Sequence, residues 1–381
     1  MKGVLMLVNE FPPLPVGGAE RQAEYLAAYM AHQGLWVGVL TRRVDQLPKV
    51  ERRDGFRVIR ISQFGPGKFK SLTFILNAAL MIFCYRQKFD ILHAHLAFAP
   101  AVVAAIAGRF LNKKVIIKFG NSGYFGDVET SNRTYRGRLA LWILRKWANV
   151  VVTLSEEMEK ELLGAGFPPN RIVRMVNGVD VKKFTPPVDR LAAKESITMT
   201  GRTVLLFTGR LEPQKALDIL LLAFQCAVKN IPNLHLIIVG DGSERDKLLE
   251  MIVDLGIQSQ VTLIRYVEDI RPYLNGSDIF VLPSLIEGIS NSLLEAMASG
   301  SSCIATRVGG SGEVLGGGAY GLLIEPNNVG QLSDAISRFA SNQEEAVRFG
   351  VRSRQRAVDY YDFSVVGNRY FLLYREMIGG H

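Results

Sequence analysis

Cysteine is scarce in this 381-residue chain: Cys84, Cys226 and Cys303 form no CxxC pair and no metal-ligand spacing. That excludes a disulfide framework, and each thiol, set in an apolar stretch, reads as a small core residue of a reducing compartment. Long apolar runs are also missing. The longest, Ser71–Tyr85 (SLTFILNAALMIFCY), is 15 residues and includes Asn77, short of the roughly 20 that a membrane span needs. A secretory leader is not expected, because MKGVLMLVNEFPP carries one lysine and a short apolar run that meets prolines, which reads as a first β-strand. No GxGxxG follows that strand, which argues against a dinucleotide oxidoreductase. No basic run is interleaved with exposed aromatics, so nucleic acid is not expected as a partner.

What is present fits a globular α/β protein of two domains. The length exceeds one comfortable core, and 48% hydrophobic with 21% charged residues is an ordinary soluble balance. Many of the 36 glycines follow apolar strand-like runs, where α/β proteins turn tightly. The net charge of +9 is uneven: residues 1–185 carry 27 lysines and arginines against 14 acids, and residues 186–381 carry 18 against 22. The N-terminal half is therefore expected to meet something anionic, a membrane surface or a lipid-pyrophosphate acceptor, or to present a merely solvated basic face.

Strand and helix patterns alternate through both halves. Val4–Val8, Val37–Leu40, Arg57–Ile61, Ile91–His93, Val115–Lys118 and Val150–Leu154 read as strands, with helical spacing such as Ala19–Gln33 between them. Pro186-Pro187 and the polar tract to Arg202 read as a linker. A second series then begins at Val204–Phe207 and continues through Leu234–Val239, Val261–Ile264, Ile279–Leu282 and Cys303–Ala305. Such alternation predicts parallel sheets covered by helices on both faces. The expected domains are 1–187 and 188–362, two Rossmann-like units facing a common cleft, with an amphipathic helix in 363–381 packing back onto the first.

Two segments carry chemistry. Gly209-Arg210-Leu-Glu-Pro-Gln-Lys215 follows a strand and places two cations five residues apart. Arg210 offers a planar fork and Lys215 a mobile point charge, a pair able to clasp a diphosphate. Glu287-Gly-Ile-Ser-Asn-Ser-Leu-Leu-Glu295 follows another strand and Pro283-Ser284. Ser290 or Asn291 can cap a helix there, ended by Gly300, whose N-terminus suits a phosphate, and Glu287 and Glu295 can hydrogen-bond sugar hydroxyls.

The stretch PSLIEGISNSLLEAMASG resembles the EX7E signature of glycosyltransferase family 4, retaining enzymes with the GT-B fold. VNEFPPLPVGGAERQAEYLAAYMAHQG, FDILHAHLAFAP, Asn177-Gly-Val-Asp180 with Phe184-Thr-Pro186, FTGRLEPQKALDILLLAF, LIIVGDGSER and GGSGEV resemble further segments of that family in the same order. The resemblance covers essentially the whole chain. It implies a retaining, metal-independent transferase of polysaccharide biosynthesis that moves a hexosyl or N-acetylhexosaminyl unit from a nucleotide sugar to a glycan or lipid-linked acceptor. UDP is the commonest nucleotide in such enzymes. No cofactor, metal site or DxD pair is expected.

Carried over position by position, the resemblance implies that Arg210 and Lys215 bind the donor's diphosphate and neutralise the leaving group. Glu295 would hold ribose hydroxyls and Glu287 the transferred sugar, while the backbone of Gly288, Ile289, Ser290, Asn291 and Ser292 touches sugar and phosphate. Gly17 and Gly18 would admit the phosphates where a Cβ would collide, and Asp241, Tyr266 and Val267 would lie beside the base.

The chain departs from the family at Phe119, where relatives carry a histidine after the strand Val115–Lys118. Asp127 is the first candidate to supply that contact, Asn121 the second and His95, also a candidate on the acceptor side, the third. Arg265 replaces a glycine common before the base-contacting segment. The basic N-terminal half (Arg42, Arg43, Arg52, Arg53, Lys68, Lys70, Lys113, Lys114) suits a cytoplasmic enzyme peripheral to the inner face of the membrane. The Phe69–Tyr85 helix is expected to lie shallowly in a bilayer, to be buried under the sheet, or to do both in part. A sugar-nucleotide epimerase and a catalytically inactive GT-B binding protein are the alternative readings. Phe119 favours the second of these, and the intact Arg210, Lys215, Glu287 and Glu295 oppose it.

Overall fold

A computed structural model describes the chain except residues 14–16, 67, 98, 122, 124, 125, 380 and 381, and except the side chains of Lys68, Lys70 and Ser71. The basic-face reading at Lys68 and Lys70 therefore lies outside the described side chains. The chain divides into two compact units, Met1–Asn177 with Ser364–His381, and Gly178–Phe363. Both are Rossmann-like α/β domains, the pair of units that defines a GT-B protein.

The first unit holds β1 (Gly3–Leu7), β2 (Trp36–Arg42), β3 (Val50–Arg53), β4 (Phe56–Ile61), β5 (Ile91–His95), β6 (Lys114–Lys118), β7 (Val150–Thr153) and β8 (Ile172–Arg174). They form one sheet in the order β3-β4-β2-β1-β5-β6-β7-β8, parallel throughout apart from the antiparallel β3–β4 pair. β1 (GVLML) is buried along its whole length, as a strand covered on both faces must be. The helix Gly18–His32 turns Ala23, Leu26, Ala27 and Met30 inward at helical spacing.

The second unit holds β9 (Thr203–Thr208), β10 (Leu234–Val239), β11 (Val261–Ile264), β12 (Ile279–Leu282), β13 (Ser302–Thr306) and β14 (Leu322–Ile324). All are parallel, in the order β11-β10-β9-β12-β13-β14.

Two boundary expectations need correction. The units part at Asn177/Gly178, ahead of residue 187, because Arg354 donates to the carbonyls of Phe184 (2.7 Å) and Val181 (2.9 Å) and ties that segment to the second unit. The polar tract is also no free linker. It contains the helix Arg190–Ser196, capped by Asp189, and Lys194 and Arg190 both reach Asp278 at the start of β12, at 2.7 and 3.4 Å. The thiols need a third correction: only Cys303 is buried, and Cys84 and Cys226 are exposed on the outer sides of their helices. The C-terminal helix Phe363–Gly379 does join the first unit, where Gly367 lies against the ring of Tyr29.

That helix covers an unusual polar cluster. His93 and His95, on one face of β5, stack at 4.3 Å, and His93 Nδ1 shares a 2.6 Å hydrogen bond with the Tyr374 hydroxyl. Lys118, beside His95 on β6, donates to Asn177 at 2.8 Å. Burial, reinforced by the Lys118 charge, lowers His93 from 6.5 to about 3. Burial, then His93 and Lys118, pulls His95 well below its ordinary value, and burial lowers Lys118 to about 7.

Between pH 6.5 and about 3 the unfolded chain thus binds protons at these histidines that the native state refuses, so stability falls as pH drops through that window. Burial raises Asp127 to about 6 and partly offsets the loss. Thermal melts should show a midpoint that declines from pH 7 towards pH 4, with a shallower slope in the His93→Gln/His95→Gln variant. An unchanged slope in that variant would exclude the histidines as its source.

Candidate active site

In an open parallel sheet ligands gather at the carboxyl ends of the strands, where strand order reverses. In the second unit that point lies between β9 and β12, because β9 has β10 on its other side. Gly209 after β9 and Gly240 after β10 both have φ of +156°. A Cβ on Gly240 would stand 1.9 Å from the Gly209 carbonyl oxygen, and one on Gly242 2.4 Å from that of Leu211. The two loops therefore cross in backbone contact that glycine alone permits. Leu211 N–H donates to Asp241 O and Glu244 N–H to Leu211 O, both at 2.9 Å. Arg210 leaves this crossing exposed, with no partner among the described residues.

Lys215 closes the short 3-10 turn Pro213–Lys215, and Ala216, left-handed at φ +48°, starts the helix Leu217–Val228. Gln214 O accepts from Leu285 N–H at 2.8 Å, which fixes this turn to the segment after β12. The Lys215 ammonium pairs with Glu287 Oε1. The Ser284 hydroxyl donates to the same oxygen at 2.9 Å. Both partners of the ion pair are largely buried, with side chains 15% and 11% exposed.

A second crossing supports Glu287. A Cβ on Gly309, at φ +50°, would lie 1.7 Å from the Glu287 carbonyl oxygen, and Gly310 N–H donates to Gly288 O at 2.7 Å. Ser290 is the N-cap of the helix Asn291–Ala298, accepting from Leu293 N–H at 3.4 Å, and its hydroxyl meets that of Ser292 at 3.0 Å. Gly288, Ile289 and Ser290 are buried, and Asn291, Ser292 and Glu295 half-buried. Asp241 accepts from Gly242 N–H at 3.0 Å. Tyr266, 54% exposed, and half-buried Val267 follow β11. Arg210, Asp241, Tyr266 and Glu287 thus follow β9, β10, β11 and β12, at one end of one sheet.

The first unit treats its predicted residues differently. Gly17 caps the helix Gly18–His32, and among the described residues a Cβ there would meet the Glu20 carboxylate, at 2.9 Å. Phe119 points into the core, fully buried and edge-on to Phe167 at 5.8 Å. Asp127 is 2% exposed; its carboxylate accepts from Gly120 N–H at 2.8 Å and is bonded to the Ala97 backbone. It staples the loops after β5 and β6, and Asn121 beside it is exposed. The reading of His95 as an open contact fails: β5 extends through it, and the ring is 1% exposed beneath the C-terminal helix.

Sequence reasoning missed Ser284, which orients Glu287, read Gly240 only as part of the turn Gly240-Asp241-Gly242, and gave no role to Gly309, whose signal was present in GGSG shortly after an apolar strand.

Two family models match the chain: Glycosyltransferase Family 4 over residues 16–183 and Glycosyl transferases group 1 over residues 189–356. Among curated proteins, the chain is 27% identical over 290 residues to the UDP-Gal:alpha-D-GlcNAc-diphosphoundecaprenol alpha-1,3-galactosyltransferase of Escherichia coli, covering 74% of this chain and 75% of that one. It is 24% identical over 364 residues to the N-acetyl-alpha-D-glucosaminyl L-malate synthase of Bacillus anthracis, covering 95% of each. Among solved structures, Anabaena HepE in complex with UDP and glucose superposes with a TM-score of 0.83 at 19% identity, over 99% of this chain and 100% of that one. With both units matched in order along the chain, the protein belongs to glycosyltransferase family 4 and is a GT-B glycosyltransferase.

Proposed function

We propose that the protein transfers a hexosyl or N-acetylhexosaminyl unit from a UDP-sugar to a glycan or lipid-linked acceptor, with retention at the anomeric carbon. The observation that carries this reading is that exposed Arg210 and Lys215 both follow β9 at the β9/β12 switch point, where Lys215 pairs with Glu287. Breaking the bond between C1 and the β-phosphate oxygen places negative charge on the diphosphate, and preorganised cations lower that barrier. The acceptor hydroxyl oxygen bonds C1 on the same face, and its proton passes to the departing phosphate oxygen. Arg210 and Lys215 take the place of a divalent metal.

Glu287 accepts a hydroxyl of the transferred sugar, and the backbone from Gly288 to Ser292 lines sugar and phosphate. Glu295 takes the ribose, while Asp241, Tyr266 and Val267 flank the base. The choice of UDP is supported by the E. coli relative, named for UDP-Gal, and by HepE, solved with UDP. The lipid-linked acceptor is supported by the diphosphoundecaprenol in that relative's name. Work at the inner face of the cytoplasmic membrane belongs to the same reading.

Arg210→Ala and Lys215→Ala should each lower kcat by about a hundredfold or more. Their melting curves should differ. Removing Lys215 leaves Glu287 buried without its cation and lowers Tm, whereas removing exposed Arg210 leaves Tm in place. Full turnover in either variant would overturn the diphosphate assignment.

A thermal-shift panel of UDP, GDP and ADP should show stabilisation by UDP above the others, and turnover should survive a chelator. NMR of the product should show the donor's anomeric configuration preserved. A larger shift with GDP or ADP, loss of turnover with chelator, or an inverted product would each strike out that part of the reading.

A further inference from the structure

The helix Lys68–Tyr85 is apolar on both sides. Phe74, Ala78 and Ile82 are buried, at 4% exposure or less, and face the domain. The opposite side presents Phe69, Leu72, Leu76, Leu80 and Phe83, each between 50% and 66% exposed. Their steps of three and four residues put them in one stripe. At 1.5 Å per residue it is about 21 Å long. No lysine, arginine, histidine, aspartate or glutamate interrupts the helix from Ser71 to Cys84. A solvated helix of a globular domain would place its charges on that outer side. One side of this helix is buried, as one expectation had it, and the other side is bare.

The stripe continues onto its neighbours. The helix Ala99–Leu111 packs beside it and the helix Tyr135–Trp147 beside that. Phe110 is 79% exposed, and Tyr135, Leu139 and Trp142 are exposed at 76%, 48% and 44%. Cations are interleaved with these rings. Arg86 lies 3.9 Å over Phe83 and Lys146 lies 4.9 Å from Trp142. Arg109, Lys114, Arg136 and Arg138 are exposed. Between residues 62 and 114 the chain carries seven lysines or arginines and one acid, Asp90.

We infer that this three-helix face of the first unit docks on an anionic bilayer, with the Phe69–Phe83 stripe lying in the plane of the interface among the acyl chains and the surrounding cations on phosphate headgroups. The composition selects this occupant. Large aromatic and aliphatic side chains bordered by lysine and arginine match an interface that is apolar within and anionic above. A spanning helix is not involved, since no helix among the described residues is long and apolar enough to cross a membrane. The inference goes beyond the donor chemistry and does not depend on it: it names the surface, the side chains that insert and the lipid charge they need.

The full chain is to be sedimented with phosphatidylcholine vesicles, with and without phosphatidylglycerol, at low and high salt. Binding should be about tenfold or more stronger to the anionic vesicles and should weaken as salt rises. Leu76→Gln/Leu80→Gln should lower binding about tenfold at either salt, and Arg109→Glu/Lys114→Glu should remove most of the preference for phosphatidylglycerol. Both variants change exposed side chains and should keep the wild-type Tm and UDP-induced shift. That control separates failure of this inference from failure of the donor reading. Equal recovery with neutral vesicles, or binding indifferent to both variants, would overturn it. So would sedimentation equilibrium showing a dimer that Leu76→Gln/Leu80→Gln dissolves while vesicles capture nothing, since a second copy would then cover the stripe.

Discussion

The candidate site of the second unit rests on two places where main chain touches main chain. Gly240 lies against Gly209, and Gly309 against Glu287, at approaches of 1.9 and 1.7 Å for an added Cβ. No side chain could enter either crossing without moving a strand end. Loops otherwise free to wander are thereby held to the precision of the sheet, and Arg210, Lys215 and Glu287 inherit it. Charge stabilisation in a transition state depends on groups that need no reorganisation when charge appears. These crossings supply that rigidity from the backbone, before any side-chain packing is considered.

The two cations on this frame are prepared in different ways. Lys215 is mostly buried and already paired with Glu287, whose oxygen also accepts from Ser284. The pair fixes the lysine rotamer and offsets its desolvation, and a bound diphosphate would share this cation with the carboxylate. Arg210 is exposed and keeps its full donor fork for a ligand. One cation is positioned and the other free, which suits a leaving group that must be gripped and later released.

Much of this frame was legible because fully buried parallel strands read as unbroken apolar runs, and the loops after them hold the glycines and charges. What escaped has definite physical causes. β3 and β8 are short edge strands with exposed or half-buried residues and charged side chains, so they carry no long apolar run, and β14, though apolar as Leu322-Leu323-Ile324, is only three residues long. The unit boundary was misplaced because Pro186-Pro187 is a local signal, whereas the capture of Val181 and Phe184 by Arg354 spans about 170 residues of sequence and leaves no local trace. His95 was read as a loop residue because the apolar run ends at His93. The strand continues on hydrogen bonds alone, and alternation turns His95 to the same buried face. Phe119 was read by alignment of motifs, which says nothing of where its ring points.

The charge distribution fits the two proposals together. The C-terminal half is net acidic, 18 basic residues against 22 acids, although it carries the two candidate diphosphate-binding cations. No contradiction follows, because screening at physiological salt confines a surface charge to about 8 Å, so a nucleotide bound as proposed would respond to Arg210 and Lys215 and hardly to the sum. An extended anionic surface responds to the sum over an area. The surplus cations stand in the N-terminal half, 27 against 14, around the helices with the bare apolar stripe. A point ligand and a planar one call for opposite electrostatic designs. On the two proposals made above, the chain would keep them on separate units.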